Sequence, residues 1–157
     1  MNLLVVEDLL SNPHEYISDI YRKGFEDVAD GQHVFRNIQP RGDNDDFAKL
    51  VSELFPDYRV AWNFVRMSPL NQQEPNFIHS DEMMGEITCI LYLNESSPIE
   101  DGTTIYDDDK NPSVKIYSKF NRMVAFNSNV LHSRNIFENF GEGHSARLIQ
   151  VAFLKSK

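Results

Sequence analysis

One cysteine in 157 residues, Cys89, rules out an intrachain disulfide and suits a reducing compartment. Cys89 sits inside an apolar run and reads as a small buried hydrophobe. Basic charge is also scarce: 15 Lys and Arg stand against 24 Asp and Glu, a formal net charge of −9. Phosphate backbones need a basic surface, so nucleic acid is not the expected partner. No apolar run approaches the ~18 residues that span a bilayer. The opening Met1–Leu10 carries Glu7 and Asp8 and lacks the basic start of a targeting segment. Repeats, linkers and low-complexity stretches are missing. What remains is one soluble, cytoplasmic domain, 41% hydrophobic and 11% aromatic, long enough to bury a core.

Against that background His79, Asp81 and His132 stand out, the first two within NFIHSDEMMGEITCILYLN and the third within NRMVAFNSNVLHSRN. Two imidazoles and one carboxylate form the facial ligand set that holds non-haem iron(II) and leaves the opposite positions open. Side chains alternate along a strand, so the i, i+2 spacing puts His79 and Asp81 on one face. His132 would complete the set from a distant strand. The competing reading is a hydrogen-bonded core network of the same three residues. It is disfavoured because buried charge without a metal is costly.

The N-terminal third reads as support. Asn2–Val6 is an expected edge strand. Ser11 or Asn12 is the expected N-cap of a helix with Pro13 and Glu15 in its first turn; Tyr16, Ile17, Ile20 and Tyr21 lie at helical spacing, with Gly24 as the stop. His14 reads as a surface residue. Gln39–Asp46 reads as a solvated polar loop before a second helix, Phe47–Phe55. Further strands are expected at Arg59–Met67, Ile87–Asn94, Thr103–Tyr106, Arg122–Phe126 and Arg147–Leu154. Asp107–Asp109 reads as a hairpin tip. Neither acidic cluster has a full calcium-loop pattern.

This order of motifs, from about residue 60 to 155, closely resembles the iron(II)- and 2-oxoglutarate-dependent oxygenases, in particular the prolyl-hydroxylase-like branch. The matching features are His79-x-Asp81, the strand ending Tyr92-Leu93-Asn94, the Gly102-Thr103 strand, the strand leading to His132, and Arg147 opening the last strand. The resemblance implies a mainly β fold with flanking helices: a double-stranded β-helix (jelly roll) over residues 59–155, with 1–58 as supporting strand and helices. It implies iron(II) on His79, Asp81 and His132, 2-oxoglutarate as co-substrate, and molecular oxygen. Arg147 would fork the co-substrate's C5 carboxylate, since a guanidinium binds a carboxylate through two parallel hydrogen bonds. Tyr92 would add its hydroxyl, and Thr88 shares that strand face. Asn63 and Arg66, on opposite faces of one strand, are candidates for the C1 carboxylate or the prime substrate.

The 15 residues from His132 to Arg147 are more than that branch usually has there, which implies an inserted loop around Gly141–Gly143. Arg134 and Arg66 are rival anchors. The implied reaction is hydroxylation of a C–H bond of a small molecule or peptide side chain, releasing succinate and carbon dioxide. Asp81 favours hydroxylation over halogenation, which needs a small residue at that position. Met83, Met84, Phe137 and Phe140 would give the mouth partly apolar walls. Two other readings stay open: a cupin-like isomerase or metal sensor that does not use 2-oxoglutarate, and a binding jelly roll with a vestigial site.

Overall fold

The computed structural model describes residues 3–157, which form two antiparallel sheets with their apolar faces together. The larger sheet contains β1 (Leu3–Val6), β2 (Glu26–Ala29), β3 (Val34–Pro40), β4 (Tyr58–Ser68), β5 (Ile87–Tyr92), β8 (Met123–Asn127) and β10 (Arg147–Ser156). Their spatial order is β1-β8-β5-β10-β4-β3-β2. The smaller sheet contains β6 (Gly102–Tyr106), β7 (Pro112–Tyr117) and β9 (His132–Arg134), in the order β7-β6-β9. This is a double-stranded β-helix. Two helices, α1 (Pro13–Lys23) and α2 (Asp46–Leu54), pack on the outer side of the larger sheet.

The central strands are apolar along almost their whole length because both of their faces are covered. On one face, Cys89, Leu91, Met123, Leu148 and Leu154 pack against Tyr16 and Ile20 of α1 and Phe47 and Val51 of α2. On the other, Tyr92, Val124, Phe126, Ile149, Val151 and Phe153 meet Ile105 and Ile116 of the smaller sheet. Leu91 and Met123 are fully buried, and each such side chain contributes roughly 1.5–3 kcal/mol of transfer free energy. Burial also pushes the Cys89 thiol up to about 12, so it stays protonated.

The helices lie within a residue or two of the expected positions, with differences at their ends. Pro13 opens α1, and Gly24 ends it with φ 77° and an N–H donated to the Ile20 carbonyl at 3.1 Å. Asn12 is at the N-cap, but its amide donates to Glu15 at 2.6 Å and its side chain caps no backbone N–H. Asp45, in the stretch expected to be a solvated loop, has its side chain buried. Its carboxylate accepts hydrogen bonds from Tyr16 (2.7 Å), Arg41 (2.7 Å), Gln150 (2.8 Å) and Asn63 (3.2 Å).

Three strands were not foreseen: β2, β3 and β7. β2 is exposed along its length, and β7 is exposed except at Ile116, so neither shows an apolar alternation. β3 runs into Gln39–Pro40, a stretch read as turn from its polarity. β9, the distant strand expected to carry His132, is three residues long. Asn2, included in the expected first strand, lies outside the described residues. No helix among the described residues is long and apolar enough to cross a membrane.

Candidate metal centre and anion seat

His79, Asp81 and His132 converge, though not as strand alternation alone would have it. Only His79 makes a strand-like bridge, exchanging backbone hydrogen bonds with His132 at 3.0 and 2.9 Å. Asp81 lies beyond that bridge and is held by its own N–H, which donates to the Ser128 carbonyl at 2.7 Å. The loop after β8 and the start of β9 therefore align both halves of the set.

Each imidazole turns its Nδ1 to a backbone carbonyl two residues earlier: His79 to Phe77 at 2.8 Å and His132 to Val130 at 3.0 Å. A carbonyl can only accept, so both Nδ1 atoms carry the proton and both Nε2 lone pairs are free. Those Nε2 atoms lie 3.3 Å (His79) and 3.0 Å (His132) from the two Asp81 oxygens. One ligand atom from each residue falls within 4.8 Å of the others, which fits one divalent ion. Burial pushes the Asp81 carboxyl up, but the two imidazoles beside it, which favour its anion whenever they are protonated, more than offset this and hold it below the usual carboxylate range. Asp81 in turn raises His79 above its ordinary value.

A second cluster occupies the same inner face where β10 begins. Arg147 opens β10 opposite Ser68 of β4 and is only 4% exposed. Arg66 comes from β4 and Arg134 from the end of β9. Two carboxylates answer the three guanidinium groups. Glu74 lies 3.1 Å from Arg134 and 3.6 Å from Arg66; Asp101 lies 3.7 Å from Arg147 Nε. Burial and the neighbouring Arg147 charge together lower the Arg134 guanidinium to about 10, and burial with the Arg147 charge also lowers Arg66. Among the described residues, five buried side-chain polar atoms have no hydrogen-bond partner. Four belong here: Nε of Arg66, Arg134 and Arg147, and Oδ1 of Asp101. Buried polar atoms are rarely left unpaired, and three of these four are guanidinium donors that could serve an anion.

Tyr92 faces the same cluster from β5, beside Ile149. Its hydroxyl bonds to Thr103 Oγ1, and burial pushes it up to about 12, so it remains a donor. Thr88 lies at the other end of β5, where its hydroxyl meets Ser128 at 2.8 Å, on the metal-side loop and away from the arginines. Asn63 is not brought to the site. It points to the helix side of β4 and bonds with Asp45 and Gln150. Asp101 and Glu74 were missed. The one local signal is Asp101-Gly102: Gly102 has φ 146°, and a Cβ there would meet the Ile116 carbonyl oxygen at 2.0 Å. Only glycine fits, and it sets Asp101 under Arg147.

Phe77, beside His79 at 5.2 Å between ring centroids, and Phe137 are both about half exposed. Asn76 ties them by donating to the Phe137 carbonyl at 3.1 Å. Met84 packs into the inner apolar cluster, whereas Met83, expected in the wall, is 93% exposed.

Residues 64–155, more than half of the chain, match the model of the 2OG-Fe(II) oxygenase superfamily. The chain belongs to that superfamily. Its members are defined by iron(II), 2-oxoglutarate and oxygen, and the two clusters described above fit such a requirement. No curated protein matches by sequence. Solved structures similar in fold include a prolyl hydroxylase from Trichoplax adhaerens, in complex with a hypoxia inducible factor oxygen degradation domain peptide. Its TM-score is 0.68 at 16% identity, over 97% of this chain and 83% of that one. SnoN, a non-heme alpha ketoglutarate dependent epimerase from nogalamycin biosynthesis, matches with TM-score 0.66 at 15% identity, over 96% of this chain and 76% of that one. HygX from Streptomyces hygroscopicus, with nickel and 2-oxoglutarate bound, matches with TM-score 0.63 at 13% identity, over 96% and 81%. At these identities the likeness shows the fold.

Proposed function

We propose that this oxygenase hydroxylates a C–H bond of a small molecule or a peptide side chain. The observation that carries the reading is the presence of two complementary seats on one inner face. One is the set of free Nε2 atoms around a carboxylate; the other is a buried arginine cluster with unpartnered nitrogens. A dicarboxylate whose one end chelates a metal and whose other end needs a cation spans two such seats.

In this reading His79 and His132 present Nε2 to iron, and Asp81 supplies the third ligand. Iron(II) with 2-oxoglutarate and oxygen, when bound, supplies the oxidative chemistry, releasing succinate and carbon dioxide. Arg147 forks the C5 carboxylate through its Nη atoms, with its Nε edge toward Asp101. Tyr92 adds a hydrogen bond to the same carboxylate, turning from Thr103. Arg66 and Arg134 complete the positive wall. Thr88 braces Ser128, whose carbonyl holds the Asp81 backbone. Phe77 and Phe137 shield the metal side of the mouth from water and face the apolar part of the substrate.

The test is an anaerobic titration of iron and then 2-oxoglutarate, followed by the visible charge-transfer band, and then a substrate panel screened for succinate release. A product one oxygen heavier identifies hydroxylation. Epimerisation, the activity in SnoN's name, would consume 2-oxoglutarate and leave the product without that oxygen. If iron binds but 2-oxoglutarate gives neither band nor succinate, the cupin-like reading replaces this one.

A further inference from the structure

The arginine cluster carries more than an anchor. Three guanidinium groups share two carboxylates, so the closed end of the site has an excess of one positive charge. Those two carboxylates are set differently. Glu74 is satisfied, accepting hydrogen bonds from Ser68 at 3.0 Å, Gln72 at 3.1 Å and Arg134 at 3.1 Å. Asp101 is 2% exposed and its Oδ1 has no hydrogen-bond partner; Arg147 Nε lies 3.7 Å from that oxygen. Its backbone is fixed, with N–H donated to Pro98 at 3.0 Å and its carbonyl accepting from Ser118 at 2.7 Å. Gly102 after it admits no side chain. A buried carboxylate with one oxygen left without a donor contributes little to stability, because desolvation costs it more than one imperfect ion pair returns. Its effect is on the charge of the seat.

We infer that Asp101 is a built-in counter-ion that limits how tightly the seat holds an anion, setting affinity for the co-substrate and ease of release of the dicarboxylate product. This rests on the proposed function and extends it to a residue that touches Arg147 from behind. With Asp101 charged, one bound carboxylate brings the cluster to neutrality. Without that charge the seat carries two excess positive charges, and any carboxylate there is held more strongly. Succinate has the same distal carboxylate as 2-oxoglutarate and lacks the keto oxygen, so a seat without Asp101 would retain it after turnover. Asp101 therefore favours release over grip.

The experiment compares iron(II)-loaded wild type, Asp101→Asn and Glu74→Gln, titrated anaerobically by calorimetry with 2-oxoglutarate and separately with succinate. The inference expects Asp101→Asn to bind both dicarboxylates roughly tenfold or more tighter, the order expected from one extra charge about 10 Å away at an effective dielectric near 20. Succinate should also become a stronger inhibitor of turnover. Glu74→Gln removes the same charge from the other side and should shift both affinities the same way. If one variant does not fold alone, the other decides; if neither does, recovery of a melting transition by succinate supports the inference, and no recovery overturns it. Equal or weaker binding in a folded Asp101→Asn also overturns it and makes Asp101 a positioning group instead. If wild type binds neither dicarboxylate, the anion seat itself is misread, an outcome separate from the others.

Discussion

Replacing Arg147 by Ala tests the seat where it is most exacting. The side chain is buried, its charge acts on Tyr92, and among the described residues Asp101 is its one carboxylate within 4 Å. Removing it takes away the fork for the distal carboxylate and leaves Arg66 and Arg134, which already share Glu74. Truncating one partner of a buried charged pair costs about 2–5 kcal/mol. At about 1.4 kcal/mol per decade, 2-oxoglutarate affinity should fall by roughly thirtyfold to several thousandfold. Iron binding should be unchanged, because His79, Asp81 and His132 are held by their own backbone bonds. Lysine at 147 should restore part of the loss, giving back the charge without the fork. The variant also strands Asp101 without its cation, so its melting temperature should drop, and adding Asp101→Asn should recover some of that drop without restoring co-substrate binding. The assay is anaerobic calorimetry with iron loaded first, alongside thermal melts. Wild-type affinity in Arg147→Ala, with a large loss in Arg66→Ala or Arg134→Ala, would refute the assignment and move the fork to the Glu74 side.

Three further outcomes are expected. His79→Ala and His132→Ala should each abolish stoichiometric iron binding, measured by metal analysis, while the circular dichroism spectrum stays near wild type; metal retained in both would remove the triad. Iron affinity should fall with acid because both imidazoles must be neutral to coordinate. Since Asp81 raises His79, the fall should begin above the ordinary histidine value of about 6.5; an affinity flat from pH 8 to 5.5 would exclude histidine ligands. Asp45 is held below the usual carboxylate range: burial pushes it up, and its bonds from Tyr16 and Arg41 more than offset this. A depressed folded value gives stability that is present above the unfolded value, about 3.9, and lost as pH falls through the folded one. Asp45→Asn should therefore lower the melting temperature at pH 7 and flatten its dependence on pH below about 4; an unchanged acid slope would exclude that network.

The parts of the fold readable from sequence are those whose burial leaves a mark on composition. β5, β8 and β10 are covered on both faces, so their residues run apolar, and Ile87–Tyr92 or Arg147–Leu154 can be read directly. The convergence of His79, Asp81 and His132 was readable because those residue types are rare together and their order is chemical. β2 and β7 border the sheets with most side chains in solvent, and nothing in Glu26–Ala29 or Pro112–Tyr117 separates strand from loop. Buried polar residues were the hardest. Asp45, Gln150 and Asn63 satisfy one another across segments far apart in sequence, so each alone looks like a surface residue. Asn63 was consequently placed with the co-substrate when its partners lie behind the sheet. Asp101 and Glu74 were lost the same way, as single acids in polar loops whose meaning comes from arginines contributed by three other strands.

The backbone exchange between His79 and His132 joins the proposed iron ligands to the edge of the smaller sheet. Two amide protons, those of His79 and His132, are thus the hinge pins between the segment before β5 and the short strand β9. Ion binding and the pairing of that edge belong to one cooperative unit, so each should strengthen the other. Slow deuterium uptake at those two amides, with faster uptake when a chelator strips the ion, would make the protein's own backbone a gauge of how firmly its iron is held.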